Sequence, residues 1–332
     1  MKRAVFKGAR NFVIEETPKP TVIQGGILIK VAYCSICGSD VHLWEKDPDS
    51  KDPGDRSMLG AISEAFGGIP PHLILGHQYS GEVVEVGPGV ASCRVGDRVV
   101  GRGAMGYGEY TQTGRVYVLP DKITYEQASF VEPLSVTVEA VRRSRLQLGD
   151  VVVVQGAGTI GLFTLQAARA AGARRIYMTE ISDARLEKAR GFQPDELIDV
   201  KKTDPVTRVR ELTAGRGPDI VFDCTGNPEA NRTMIDLLPR RGRAVVMSSY
   251  LGPFELDWNR IMLKSIDVLG LLAGTPGDWN TRCDAFEVAI HLLETGRVRV
   301  DPLITAVVPL EKINEAFAAL AEGREMAIVV KP

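Results

Sequence analysis

Cysteine is too scarce and too scattered in this chain to staple it. Cys34, Cys37, Cys93, Cys224 and Cys283 are an odd number, and only the first two are close together; this argues against a disulfide framework and for a reducing, cytoplasmic setting. Cys34 and Cys37 form one C-x-x-C, with no second pair to complete a zinc knuckle and no thioredoxin-like pattern around it. A surplus of one charge is missing too. The 40 Lys and Arg nearly balance the 42 Asp and Glu, which leaves no electrostatic footprint for nucleic acid or an acidic membrane as partner. No apolar run approaches the length that spans a bilayer, and Met1-Lys-Arg-Ala-Val-Phe-Lys leads into a strand pattern rather than a signal peptide. Internal repeats and low-complexity segments are absent.

What is present is ordinary globular composition, 44% apolar and 25% charged over 332 residues, enough for about two domains with adequate cores. The stretch 151–161, Val-Val-Val-Val-Gln-Gly-Ala-Gly-Thr-Ile-Gly, organises the second half. Four β-branched residues in a row read as a parallel strand buried on both faces. In the turn that follows, Gly156 permits the tight bend and Gly158 lets backbone approach a pyrophosphate. Gly161 lets the next helix pack closely, and its N-terminus, at Thr159 and Ile160, faces the phosphates. A second strand ends at Glu180, 19 positions after Gly161, where a carboxylate can accept hydrogen bonds from an adenosine ribose. A carboxylate there repels a 2′-phosphate and favours NAD, although Arg185 is near enough in sequence to accept one.

Taken in order, residues 1–120 read as short strands at 3–6, 12–15, 27–32, 81–86, 98–100 and 116–119, broken by glycine-rich turns. A charged segment and a short amphipathic helix at 58–66 interrupt this β-rich region, in a stretch, 43–76, that reads as a surface excursion or a lid. After Gly149 the pattern becomes β-α, with strands near 151–154, 176–180, 197–199, 219–223, 243–248 and 267–272. Ser182, Asp204 before Pro205 and Asn227 before Pro228 mark helix starts. Six such strands fit a doubly wound parallel sheet. The tail from 281 offers two helices and a last strand at 326–330, too little to fold alone, and is expected to return to the first β domain.

Three pieces of the β-rich region carry metal-ligand chemistry: Cys37-Gly-Ser39-Asp40-Val-His42, Gly76-His77-Gln78 and Val131-Glu132-Pro133-Leu134-Ser135. Singly, Cys37 is a small buried hydrophobe, His77 a satisfied histidine and Glu132 a capping residue. Together, and with Asp301-Pro-Leu-Ile-Thr and Leu310-Glu-Lys-Ile-Asn-Glu-Ala-Phe317 in the right order, they resemble the zinc-containing medium-chain alcohol dehydrogenases. The likeness covers essentially the whole chain and is greatest to the polyol branch that includes sorbitol dehydrogenase. It implies an α/β architecture. A GroES-like β-rich catalytic domain, 1–135 with 281–332, would receive a Rossmann domain, 136–280, as an insertion. It also implies one catalytic zinc on Cys37, His77 and Glu132 with an open fourth position. Asp40 would hold the second ring nitrogen of His77, and Ser39 and His42 would form a proton relay. Cys34 and His72 match no ligand position.

The chain departs from the family pattern in two places. Gly96-Asp-Arg-Val99 is followed by Gly101-Arg-Gly-Ala-Met-Gly-Tyr-Gly108 without the four cysteines of a structural zinc lobe, so no second zinc is expected. Gln78 stands where the polyol branch usually has glutamate, which leaves the third ligand open. The reaction implied is hydride transfer between NAD and a secondary alcohol flanked by hydroxyls or an amine, such as a sugar, polyol or cyclitol. A homodimer or homotetramer is expected. The rival readings are a zinc-free NADPH-dependent reductase of the same superfamily and a non-catalytic nucleotide-binding structural protein.

Overall fold

The alternating N-terminal residues form a hairpin, β1 (Lys2–Phe6) antiparallel to β2 (Phe12–Glu16). The nine-residue strand β3 (Ile27–Ser35) follows; its first residues, Ile27, Leu28 and Ile29, are fully buried. It pairs antiparallel with β4 (Tyr79–Val86), with register shifts at Leu28/Ile29 and Val31/Tyr33. β5 (Arg98–Gly101), β6 (Tyr110–Thr113) and β7 (Val116–Val118) complete this first run of strands. The sequence gives no notice of β6: Tyr-Thr-Gln-Thr lacks an apolar face, and the strand is held by its ladder to residues 27–30 of β3. Between the strands stand the helices α1 (Gly38–Glu45), α2 (Tyr125–Ala128) and α3 (Val131–Arg143).

The computed structural model describes residues 1–46, 73–250, 252–271 and 283–332, so the helix expected at 58–66 lies outside the described residues. The chain divides into two compact units, Met1–Pro133 with Phe286–Pro332, and Leu134–Ala285.

The second unit is built on β8 (Val151–Gln155), buried at every residue as its unbroken valine run requires. The strands β9 (Arg175–Glu180), β10 (Glu196–Asp199), β11 (Ile220–Asp223), β12 (Arg243–Val246) and β13 (Asp267–Gly270) join it in one parallel sheet of order β10-β9-β8-β11-β12-β13. The order reverses between β8 and β11, which is where doubly wound sheets bind ligands. The helices α4 (Thr159–Ala170), α5 (Asp183–Arg190), α6 (Pro205–Leu212), α7 (Pro228–Leu237) and α8 (Trp258–Lys264) make the connections. The three caps read from the sequence are present: Ser182 accepts from Arg185 N, Asp204 from Thr207 N, and Asn227 from Glu229 N and Ala230 N. Each satisfies an otherwise orphaned helix donor.

The tail supplies α9 (Ala285–Glu294), β14 (Ala306–Pro309), α10 (Ile313–Ala321) and β15 (Ile328–Lys331). β15 joins β3 antiparallel and carries β14 beside it, extending the seven-stranded sheet of the first unit. On α10, Phe317 is fully buried, with ring centroids 5.0 Å from Phe12, 5.5 Å from Trp44 and 5.7 Å from Tyr107. The last stretch of chain thus closes the core around the first.

Candidate active site

β3 ends at Ser35 and α1 begins at Gly38 with Cys37 as its N-cap residue, in extended backbone. The thiol therefore sits at a helix N-terminus, where the helix dipole favours an anion. Ser39, one turn in, donates its hydroxyl to Cys37 Sγ at 3.2 Å. Asp40 follows and is fully buried. A buried carboxylate needs donors, and Asp40 has them: Gly76 N at 3.1 Å and the Tyr107 hydroxyl both donate to Oδ2, while Oδ1 faces His77 Nδ1 at 3.3 Å. His77 lies just before β4, beside Cys37, with its buried Nδ1 3.3 Å from Asp40 Oδ1. Burial disfavours its imidazolium, yet Asp40 and Cys37 together outweigh burial and push His77 well above the usual histidine range. A metal ion binding here would displace that proton, so its affinity should rise with pH.

Glu132 stands in the first turn of α3, and burial raises its pKa against the opposing pull of His77 and Gln78. Gln78 Nε2 donates to Glu132 Oε2 at 3.0 Å, and Gln78 Oε1 accepts from Ser35 Oγ at 2.8 Å. Ser35 Oγ also meets Ser129 O at 2.9 Å. Gln78 is thus locked between two partners, with its amide aimed at Glu132.

Cys37, Ser39, Asp40, His77, Gln78 and Glu132 are thereby brought together in one unit. The grouping is incomplete as a metal cage: among the described residues, no three His, Cys, Asp or Glu side chains are arranged to hold an ion. Cys37 is close enough to His77 to raise its pKa, whereas one oxygen of Glu132 is engaged by Gln78. The donor set still suits zinc. It offers a thiol, an imidazole with the buried carboxylate of Asp40 behind it, and the carboxylate of Glu132 on α3.

His42 is on α1 too, but no hydrogen bond among the described residues joins it to Ser39, and its buried Nδ1 has no described partner. Burial lowers its pKa. Cys34 is fully buried, and burial raises its thiol well above the ordinary value, as befits a structural residue. His72 lies outside the described residues.

In the second unit the glycine turn takes the form its spacing predicts. Gly156 has φ +91°, and a Cβ on Gly161 would lie 1.9 Å from Gly156 O, so both positions require glycine. A Cβ on Gly158 would meet nothing nearer than Arg185 Nη1 at 4.0 Å, which leaves the turn open to a phosphate and places a guanidinium beside it. Thr159 and Ile160, half-buried at the start of α4, expose its first turn. Glu180, the residue expected to meet the ribose, also has partners within the protein. Its side chain is 6% exposed; Oε2 accepts from Ala157 N at 2.7 Å, and Oε1 from Ile181 N at 2.8 Å and Ser182 N at 2.9 Å. The carboxylate clasps the glycine turn to the start of α5 before any ribose arrives.

Two groups escaped the sequence reading. Tyr107 is an unremarked aromatic in a glycine-rich run. Asp223, fully buried at the carboxyl end of β11, accepts from Thr225 N at 2.9 Å and from the Tyr250 hydroxyl. Neither belongs to a spaced motif.

Residues 24–172 match the family model of the alcohol dehydrogenase GroES-like domain, and residues 159–287 match that of the zinc-binding dehydrogenases. The chain is 33% identical to (R,R)-butanediol dehydrogenase of Bacillus subtilis, over all of both chains. It is 30% identical to a sorbitol dehydrogenase of Halalkalibacterium halodurans, over 98% of this chain and 97% of that one. The crystal structure of 2R,3R-butanediol dehydrogenase from Bacillus subtilis superposes with a TM-score of 0.84, covering 100% of this chain and 99% of the other at 32% identity. The motifs, the two sheets and these likenesses agree: the chain belongs to the zinc-type medium-chain alcohol dehydrogenases, in their polyol branch.

Proposed function

We propose that this alcohol dehydrogenase is zinc-dependent and oxidises a secondary alcohol bearing a neighbouring hydroxyl, with NAD as the hydride acceptor. The observation that carries the reading is Cys37 at a helix N-terminus with His77 beside it, the buried Nδ1 of His77 standing 3.3 Å from Asp40 Oδ1. The relatives named for butanediol and sorbitol support the substrate class, because both alcohols carry a secondary carbinol next to a second hydroxyl. When bound, the metal polarises the alcohol oxygen and the nicotinamide accepts the hydride. Cys37, His77 and Glu132 would hold the metal, and Asp40 fixes the tautomer of His77. We assign the Ser39 hydroxyl, next to Cys37, to take the alcohol proton, with His42 further along α1 as its route outward; this role rests on the family resemblance, since no hydrogen bond among the described residues joins the two. Burial lowers the His42 pKa, which favours the neutral form that can accept a proton.

Metal analysis combined with a substrate panel tests this. About one zinc per chain is expected, with NAD reduced faster by butane-2,3-diol and sorbitol than by propan-2-ol. A metal-free protein that instead oxidises NADPH with an activated alkene would establish the reductase reading. All five cysteines are free, in keeping with a cytoplasmic protein, and we extend the proposal to a homodimer or homotetramer. No helix among the described residues is long and apolar enough to cross a membrane.

The choice of NAD rests on Glu180. In Glu180→Ala three backbone donors lose a charged acceptor, so on the order of 3 kcal/mol of stability should go, and with it much of the preference for NAD over NADP as Arg185 meets a 2′-phosphate unopposed. Comparing kcat/KM for the two cofactors decides the matter: an unchanged ratio would leave Glu180 a structural clasp alone.

A further inference from the structure

The metal-ligand reading assigns Asp40 to His77 but leaves open what orients Asp40. The run 101–108, which lacks cysteine, answers this. Met105 N donates to Leu75 O and Gly106 N to Gly76 O, both at 2.8 Å, so this run is zipped to the residues directly before His77. The approach is close enough that a Cβ on Gly76 would lie 2.9 Å from both Gly106 N and Tyr107 N. Tyr107 emerges from the zipper with its ring only 2% exposed. Phe12 and Phe317 meet the ring edge-on at 6.0 and 5.7 Å, and its carbonyl accepts from Ala4 N at 2.9 Å. Its hydroxyl ends on Asp40 Oδ2. With Gly76 N on the same oxygen, Oδ2 is taken, and Oδ1 is left to face His77 Nδ1 at 3.3 Å. Those last two atoms are buried and neither has a hydrogen-bond partner among the described residues, so each is left with the other as its nearest polar counterpart across 3.3 Å.

We propose that Tyr107 is a positioning residue for the active site: its hydroxyl anchors one oxygen of Asp40 so that the other orients His77 toward Cys37 and the metal. The proposal rests on the reading of Cys37 and His77 as metal ligands. Burial raises the tyrosine pKa well above its ordinary value, with Asp40 adding to the effect, so the hydroxyl remains a donor. The carboxylate behind a metal-bound histidine fixes its tautomer and orientation, and a carboxylate with one free swing would do so less well.

Tyr107→Phe removes only the hydroxyl and keeps the ring between Phe12 and Phe317. Zinc affinity, measured by competition with a chromophoric chelator and without turnover, should fall about tenfold. In an Asp40→Asn background the same change should cost much less, because the two act through one group. In zinc-free, ¹⁵N-histidine-labelled protein, the His77 Nδ1–H resonance should be slow to exchange with water in the parent and lost from view in Tyr107→Phe. Unchanged zinc affinity together with an unchanged Nδ1–H resonance would overturn the proposal. Should the parent bind no zinc, or should Cys37→Ser bind it as well as the parent, the ligand reading fails instead, and the Nδ1–H comparison alone decides the role of Tyr107.

Discussion

Cys37→Ser should lose its zinc and about a thousandfold in kcat/KM, the consequence of removing several kcal/mol of transition-state stabilisation. Serine preserves the N-cap geometry and the side-chain volume, so the fold should survive. It does not preserve the sulfur, the ligand atom that zinc favours over a hydroxyl oxygen. Ser39 would then donate to a neutral oxygen, and His77 would lose one of the two groups that hold its proton. His77→Ala should match Cys37→Ser in metal content and activity, because a three-ligand site does not keep its ion on the remaining two. Nicotinamide-cofactor binding, which we assign to the glycine turn, should be retained in both variants. Atomic absorption for zinc, cofactor fluorescence and steady-state rates with butane-2,3-diol measure the three quantities separately. A Cys37→Ser protein with full zinc and full activity would remove Cys37 from the site.

Gln78→Glu should destabilise the zinc-free protein in a pH-dependent way. Gln78 Nε2 and Glu132 Oε2 are 3.0 Å apart and partly buried; in the variant an oxygen replaces that donor, so two carboxyl groups must share one proton. Glu132 already has its pKa raised by burial, and the pair's shared proton should be held more tightly still. A carboxyl whose folded pKa lies above its unfolded value stabilises the fold below the unfolded value and loses that contribution as pH rises through the folded one. The melting temperature of zinc-free Gln78→Glu should therefore drop relative to the parent as pH rises above the ordinary carboxyl value of 4.5. The loss is about 1.4 kcal/mol for each unit by which the pair's proton affinity increases. Zinc should reverse the loss and bind more tightly than in the parent, because the metal replaces the shared proton. With zinc full, the added negative charge should move the pH–rate profile of alcohol oxidation upward. Parallel melting curves for parent and variant across the neutral range would show that residues 78 and 132 do not meet as described.

The two sheets differ in how much of them could be read from the chain. The parallel sheet was legible strand by strand, because strands buried on both faces must be almost purely apolar and the turns between them must carry glycine or a capping residue. Gly156 and Gly161 could be assigned roles for the same reason: their neighbours leave no room for a side chain. β6 was not legible, since Tyr110–Thr113 owes its conformation to a ladder with β3, some eighty residues earlier, rather than to its own pattern. Nor could the seating of the tail be specified beyond its return to the first domain, because the contact of Phe317 with Phe12 and Trp44 joins opposite ends of the chain.

The sequence by itself determined the chemical types at the site. A thiol, an imidazole and two carboxylates stand at spacings that resemble one family, and that resemblance singled out Cys37, Asp40, His77 and Glu132 as candidates. What each group hydrogen-bonds was decided only by tertiary structure. Gln78 reads from sequence as a ligand candidate beside His77, yet the fold aims its amide at Glu132 and Ser35. Glu180 reads as a ribose acceptor, yet three backbone donors already converge on it. Tyr107 reads as nothing at all until Gly76 and Gly106 draw two loops together and leave its hydroxyl on Asp40. Motif spacing records which groups a reaction needs, whereas a buried polar atom takes whichever partner the folded backbone brings within about 3 Å.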